Sequence, residues 1–88
     1  MLKEELTIKN RLGLHARAAA RLVQTASRFR SEVLIERDGL EVTGKSIMGL
    51  LMLAAPLGSQ IRVQVKGEDA ESAMAAVRQL IDDKFGEE

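Results

Sequence analysis

The sequence predicts an α+β fold in which a four-stranded, mainly antiparallel sheet is covered on one face by three helices. Four short segments alternate apolar and polar residues, which is the pattern of a strand with one buried face. Three other segments repeat apolar residues at helical spacing. In chain order these segments give βαββαβα, and a length of 88 residues predicts one domain over residues 1–88.

The four strands are assigned from their alternating apolar residues. These residues are Leu2, Leu6 and Ile8 in the first strand, Val33 and Ile35 in the second, and Ile61, Val63 and Val65 in the fourth. Residues 40–43 form the third strand, because Asp38-Gly39 supplies the left-handed conformations of a two-residue hairpin turn. The second and third strands are therefore expected to pair antiparallel.

Helical spacing assigns an inward face to each helix. The first helix should bury Ala16, Ala19, Ala20, Val23 and Ala26, and should expose Arg17, Arg21, Gln24 and Arg28. Ser46 is expected to cap a second, short helix that reaches Ala55, where Pro56 ends it. Asp69 is expected to cap the third helix, whose buried residues are Ala70, Ala73, Met74, Val77, Leu80 and Ile81.

Composition excludes several functions. The absence of cysteine excludes disulfides and thiolate chemistry, and a single histidine excludes a histidine cluster around a metal. No apolar run is long enough to span a bilayer, which predicts a cytoplasmic protein without membrane insertion. The net charge is zero, yet residues 6–31 contain six cations and no acid, a distribution typical of a site for an anion or an acidic partner.

The segment GLHARAAA places His15 where an irregular loop becomes a helix. A helix start carries unpaired N–H groups and a partial positive charge, so it attracts anions. Because this charge and Arg17 disfavour a charged imidazole, we expect a neutral, nucleophilic ring. A phosphoryl group on that ring would be held by the same N–H groups and by Arg17. Gly13 indicates that the preceding backbone needs unusual freedom.

GLHARAAA, followed about thirty residues later by GKSIMGLLML, resembles the histidine-containing phosphocarrier (HPr) family of the bacterial phosphoenolpyruvate-dependent phosphotransferase system. The resemblance covers nearly the whole chain and implies an HPr-like, two-layer open-faced β-sandwich. It implies that His15 accepts a phosphoryl group from phosphorylated Enzyme I and passes it to an Enzyme IIA-type protein. Arg17 would assist, and the backbone of Ala16 and Arg17 would cradle the phosphate. The resemblance implies a monomeric carrier that needs no metal and no cofactor, of the transferase class if classified, and not a stand-alone catalyst.

The resemblance implies two further sites. Ser46 matches a serine that a dedicated HPr kinase/phosphorylase modifies in many bacteria, although its role as a helix cap explains the residue equally well. The surface that docks partners would consist of Ala20, Arg21, Gln24, Ile47, Met48 and Leu51, with an apolar centre and a basic rim. Leu50 and Leu53 are assigned to the core instead.

Two residues depart from the usual family pattern. Ala18 stands where proline is common, and Leu12 replaces a small polar residue, so that the sequence is closer to nitrogen-branch than to sugar-branch relatives. A regulatory, nitrogen-branch role with little part in sugar transport is therefore an alternative. Nucleic-acid binding is not expected, because recognition on a sheet relies on aromatic stacking and the chain contains only Phe29 and Phe85.

Overall fold

A computed structural model describes residues 1–87. Its elements are β1 (Leu2–Thr7), α1 (Ala16–Ala26), β2 (Glu32–Arg37), β3 (Leu40–Thr43), α2 (Ile47–Met52), β4 (Gln60–Lys66), α3 (Ala70–Asp82) and a short 3-10 turn (Lys84–Gly86). The sheet has the order β1-β4-β2-β3, and every neighbouring pair is antiparallel. The predicted fold class is confirmed. Over the part of the chain described, no helix has both the length and the apolar composition needed to cross a membrane.

The turn between β2 and β3 is the predicted hairpin. Asp38 and Gly39 have φ values of 52° and 86°, and Arg37 pairs with Leu40 across the turn. Two successive residues with positive φ are the requirement of the tight hairpin turn that Asp-Gly favours.

The core lies between one face of the sheet and the helices. Its largest fully buried side chains are Phe85, Ile8, Leu22, Ile35, Leu50, Ile61, Met74 and Ile81. The inward face predicted for α3 is confirmed, but that of α1 is partly wrong. Ala16 is exposed, whereas Ala18 and Leu22 are fully buried. The buried residues of α1 are Ala18, Ala19, Leu22 and Ala26. The predicted face omitted Leu22, whose large side chain removes more apolar surface from water than the small side chain of Ala16.

The second helix is shorter than predicted. It ends at Met52 because Ala54 takes the left-handed conformation, with φ of 49°, that usually ends a helix at glycine. Leu50 and Leu53 are buried, as predicted. The early end leaves the carbonyl of Ala55 free to accept a hydrogen bond from the amide of Leu14, at 2.8 Å.

Asp69 stands at the predicted start of α3, but its side chain does not cap the helix. Its carboxylate instead accepts bonds from the amides of Arg30 and Ser31, both at 2.9 Å, and from the Ser31 hydroxyl. These bonds lower the pKa of Asp69, with the Ser31 hydroxyl as the largest cause. The residue therefore ties the loop before β2 to the start of α3.

The segment after α3, residues 84–87, is called the strap below. Phe85 at its centre is fully buried. Lys84, Phe85 and Gly86 all have positive φ, of 58°, 57° and 78°. This left-handed run turns the chain back toward the start of α1, so that Glu87 reaches the residue that precedes that helix.

Candidate functional site

The loop before α1 is fastened to the loop that follows α2. The Ile8 amide donates to the Ser59 carbonyl at 2.9 Å, and the Gly58 amide donates to the Ile8 carbonyl at 2.8 Å. Gly13 has φ of 68°, and a Cβ at this position would lie 2.5 Å from the Ala55 oxygen. The expected freedom at Gly13 is therefore required by both its conformation and the close approach of another backbone.

His15 occupies the N-cap position of α1. Its backbone is extended, and its carbonyl accepts the first helical bond from the Ala19 amide at 2.8 Å. The imidazole makes no cap hydrogen bond, so it does not satisfy the first amides of the helix. Ala16 and Arg17 are exposed there, whereas Ala18 is fully buried. This arrangement leaves the ring and the amides of the first turn available to an anion.

A carboxylate that sequence reasoning missed lies against the His15 ring. Oε2 of Glu87 is 2.5 Å from Nε2 of His15, and Oε1 of Glu87 accepts from Nδ2 of Asn10 at 3.0 Å. The side chains of His15 and Glu87 are 27% and 16% exposed, so the pair is largely shielded but still reachable from solvent. His15 therefore has an acidic neighbour in addition to the cationic and dipolar groups expected from the sequence.

Glu87 is held in its ionised form. Its pKa is lowered first by the hydrogen bond from Asn10, then by the hydrogen bond and charge of His15 and by the charge of Arg17, while burial acts in the opposite direction. At neutral pH the strap thus presents a negative charge to the imidazole. Two acceptor positions of this carboxylate already have donors.

Asn10 supports both the loop and the carboxylate. It is fully buried, and its Nδ2 also donates to the Gly13 carbonyl at 2.7 Å. The Gly13 amide returns a bond to the Asn10 carbonyl at 3.1 Å. Asn10 is therefore the fixed point to which Glu87 is attached. Its preference for turns was the only sequence signal that pointed to it.

A groove of about 660 Å³ opens beside this pair. It is lined by Arg11, Leu12, Arg17, Arg21, Gly86 and Glu87. The Arg21 guanidinium donates to the carbonyl of Phe85 and so holds the strap against α1. Three guanidiniums and one carboxylate give the groove a positive balance, which agrees with the basic character predicted for residues 6–31.

Ser46 caps α2, as predicted. Its hydroxyl accepts a bond from the Gly49 amide at 3.1 Å and is only partly exposed. The neighbouring Lys45 donates its Nζ to the Phe29 carbonyl at 2.9 Å. The hydroxyl thus has a structural role whether or not it is modified.

The proposed docking residues lie on α1 and α2, which pack against each other. Ile47, Met48 and Leu51 are 41%, 72% and 37% exposed, and Gln24 is exposed, whereas Ala20 and Arg21 are half-buried. Leu12 and Met52 are also exposed, at 68% and 65%, and sequence reasoning did not assign them to this surface. Leu12 also lines the groove beside His15, so that groove has an exposed apolar residue that was not expected.

No group of three or more metal-binding side chains comes together within residues 1–87.

Comparison with known proteins relates this chain to phosphocarriers. Residues 2–83 match the family described as the PTS HPr component phosphorylation site. Phosphocarrier protein HPr of Xylella fastidiosa (strain Temecula1) is 51% identical over 88 residues, covering 100% of this chain and 99% of the relative. Phosphocarrier protein NPr of Shewanella violacea is 43% identical over 86 residues, covering 98% and 94%.

Solved structures give the same result. The crystal structure of an HPr from Thermoanaerobacter tengcongensis superposes with a TM-score of 0.96 at 45% identity, covering 100% of this chain and 99% of the other. A crystal structure of an HPr dimer from the same organism has a TM-score of 0.80, also at 45% identity, with coverage of 99% and 100%. The chain therefore belongs to the HPr family of phosphocarrier proteins of the phosphotransferase system.

Proposed function

We propose that the chain accepts a phosphoryl group from phosphorylated Enzyme I on His15 and passes it to an Enzyme IIA-type protein in the cytoplasm. The observation that carries this proposal is the position of His15 at the N-cap of α1, with a ring that is partly exposed and makes no cap bond. A cap residue such as serine would stabilise the helix better. Chemistry, rather than local stability, explains a histidine at this position.

The transfer forms one bond and breaks another. A lone pair of the His15 ring attacks phosphorus, and the bond between phosphorus and the donor's leaving atom breaks with its electron pair remaining on the donor. The onward step repeats this displacement, with the acceptor as nucleophile and the His15 ring as leaving group. The carrier needs no resident cofactor for either step, because the phosphoryl group arrives already activated.

The amides of Ala16 and Arg17, together with the Arg17 guanidinium, are proposed to hold the phosphoryl oxygens. These amides belong to the first helical turn and lack helical acceptors. The two residues are exposed beside His15, and the positive end of α1 adds a favourable interaction with an anion. Arg17 can direct more than one N–H group at phosphate oxygens.

The exposed faces of α1 and α2 are proposed to dock both partners. Met48, Ile47 and Leu51 supply an apolar centre, and the arginines of the groove supply a basic margin. This combination suits acidic partners that bind briefly and with modest affinity. All residues of the site come from one chain, so we propose that the monomer is the active form, to be tested by mass measurement in solution.

Ser46 is proposed to be a regulatory phosphorylation site for a kinase of the HPr kinase/phosphorylase type. It lies at the start of α2, next to Ile47 and Met48, and a phosphate there would place negative charge beside an apolar contact. Ser46→Asp should therefore weaken binding to Enzyme I. The matched control is Ser46→Asn, which keeps a good cap without adding charge. Equal weakening by both variants would contradict the electrostatic explanation.

A regulatory role in the nitrogen branch is the second candidate, and the similarity to the NPr of Shewanella violacea supports it. The two roles share the loading of His15 and differ in the acceptor. Incubating the phosphorylated protein with purified sugar-branch and nitrogen-branch acceptors distinguishes the two roles. The physiological acceptor should remove the phosphoryl group from His15 fastest.

The primary test is phosphorylation with phosphoenolpyruvate, Mg²⁺ and a bacterial Enzyme I. We expect the intact mass to rise by one phosphoryl group, with the acid lability of a phosphohistidine. His15→Ala should abolish the label, whereas the control Ser46→Ala should keep it. A label that persists in His15→Ala would refute the assignment.

A further inference from the structure

The strap ends in a polar contact that the proposed carrier reaction does not use. Glu87 bridges two residues that precede α1, with Oε2 on the His15 ring and Oε1 on Asn10. These partners lie 72 and 77 positions away in the sequence. A contact of this separation forms only if the strap is firmly placed.

Three features place the strap. Phe85 is fully buried in the core and anchors its centre. Arg21 donates to the Phe85 carbonyl. A Cβ on Gly86 would lie 2.7 Å from the Arg21 guanidinium, so the strap passes α1 at close range. The left-handed conformations of Lys84 and Phe85 are unfavourable for residues other than glycine, and such a run persists only where packing enforces it.

The hydrogen bond to Glu87 determines which ring nitrogen of His15 carries the proton and which carries the lone pair. A neutral imidazole has one N–H group and one lone pair. A carboxylate can only accept, so the proton of the neutral ring lies on Nε2, and Nδ1 carries the lone pair. Formation of a bond from Nδ1 to phosphorus then leaves Nε2 protonated and the ring positively charged. The facing carboxylate stabilises this charge.

We propose that Glu87, braced by Asn10, is a positioning residue that holds the proton on Nε2 of His15 and offsets the positive charge that the ring gains as Nδ1 takes the phosphoryl group. The proposal rests on the carrier function proposed above and adds a residue to it. The balance of the step is complete: the phosphorus–donor bond breaks, the Nδ1–phosphorus bond forms, and the proton stays on Nε2. A buried carboxylate behind a functional histidine acts in the same way in serine hydrolases.

Other charges surround the ring, so the variants must separate them from Glu87. Arg17 on α1 and Arg11 and Arg21 in the groove are positive, and Glu87 is the acid that lines the same groove. Glu87→Gln removes the charge and keeps an acceptor, whereas Glu87→Ala removes both. Glu71→Gln, which removes an exposed acid on α3, is the matched control.

The first experiment uses the unphosphorylated full chain and needs no partner. Nitrogen NMR of the His15 ring reports the tautomer directly. We expect the Nε2–H form to dominate in the wild type and in Glu71→Gln, to decrease in Glu87→Gln and to decrease further in Glu87→Ala. A tautomer ratio that does not change in either Glu87 variant would overturn the proposal.

The second experiment measures steady-state transfer from phosphorylated Enzyme I. For Glu87→Gln we expect kcat to fall about 10- to 100-fold, the range seen when the hydrogen-bond partner of a metal-bound histidine is lost, with KM nearly unchanged. Glu71→Gln should transfer at the wild-type rate. An unchanged kcat in Glu87→Gln, or a fall only in proportion to unfolded protein measured by circular dichroism, would overturn the proposal.

The two proposals fail in different ways. If the wild type takes no label on His15, the carrier function is wrong, and the tautomer measurement still shows whether Glu87 positions the ring. If the wild type is labelled but both Glu87 variants match it in tautomer ratio and kcat, the carrier function stands and the role of Glu87 is wrong.

Discussion

Nδ2 of Asn10 lies 3.0 Å from Oε1 of Glu87, and this contact joins the loop before α1 to the strap that follows α3. The same Asn10 group donates to the Gly13 carbonyl. A single buried amide thus contacts both the turn that presents His15 and the carboxylate that faces its ring. A substitution that disturbs this turn is therefore expected to displace both the His15 ring and the Glu87 carboxylate.

Gly13→Ala should lower the free energy of unfolding by more than the conformational cost of a positive φ, which is about 1–3 kcal/mol. The new Cβ would meet the Ala55 oxygen at 2.5 Å, and backbone cannot move aside cheaply. Chemical denaturation measures the loss. Gly58→Ala is the control, because Gly58 has φ of 88° and nothing within 4 Å of the added carbon. Equal losses at the two positions would show that the close approach contributes nothing.

Ser46→Ala should cost about 1 kcal/mol of stability, because the bond from the Gly49 amide is lost and that donor has no helical acceptor. Ser46→Asn should stay close to the wild type. Urea titration of the three proteins tests this. If Ser46→Ala is as stable as Ser46→Asn, the hydroxyl does not stabilise α2. Capping would then not explain the serine at this position, and phosphorylation would be the remaining explanation.

Stability should decrease in acid as the pH falls below about 4, the usual range of carboxyl groups. Two hydrogen bonds from Arg78 lower the pKa of Glu4, and the bond from Asn10 lowers that of Glu87. A carboxyl with a folded-state pKa below its unfolded value stabilises the fold at higher pH, and this contribution disappears as the pH falls through the folded value.

Glu4→Gln should therefore flatten the dependence of unfolding on pH between about 5 and 2, where such a carboxyl takes up its proton. Glu71→Gln should leave it nearly unchanged. Thermal unfolding at a series of pH values provides the measurement. A wild-type curve that is level through this range would mean that the Glu4–Arg78 pair, with its 2.7 and 2.9 Å bonds, adds nothing to stability.

Met48→Glu should weaken binding to Enzyme I at least tenfold, about the effect of removing an important interface residue. Met48 is 72% exposed, so the folded state should tolerate the change. Leu40→Glu on β3 is the control, because this exposed leucine lies outside the proposed docking surface. Titration calorimetry gives both affinities. Comparable losses for the two variants would indicate a general effect of charge rather than loss of a docking contact.

The sequence predicted the sheet, the hairpin and α3 well, because these elements depend on local patterns. Val33 and Ile35 alternate with polar residues, and Asp38-Gly39 is a turn pair with a specific conformation. The extent of α2 was predicted less well, since Ala54 adopts a conformation that alanine rarely takes. Tertiary hydrogen bonding to the loop before α1 accompanies this turn and leaves no trace in the local sequence.

The site was predicted in part for the same reason. His15, Arg17 and the cap at Ser46 belong to local motifs, and each lies where the spacing placed it. Glu87 could not be found in this way, because nothing in its sequence neighbourhood specifies a contact 72 residues earlier. Asp69 illustrates the converse case, in which a residue suited to cap its own helix binds a distant loop instead.

The pairing of β1 with β4 has a consequence for how the chain assembles. Thr7 meets Gln60, and Leu2 meets Val65, so β1 pairs only with β4 and gains no neighbour in the sheet before β4 is available. Such a connection between distant parts of the chain slows folding, since a long loop has to close before any contact compensates for it. β2 and β3, joined by their tight turn, can pair while β1 is still unmatched, so we expect the pairing of β1 with β4 to form late in folding.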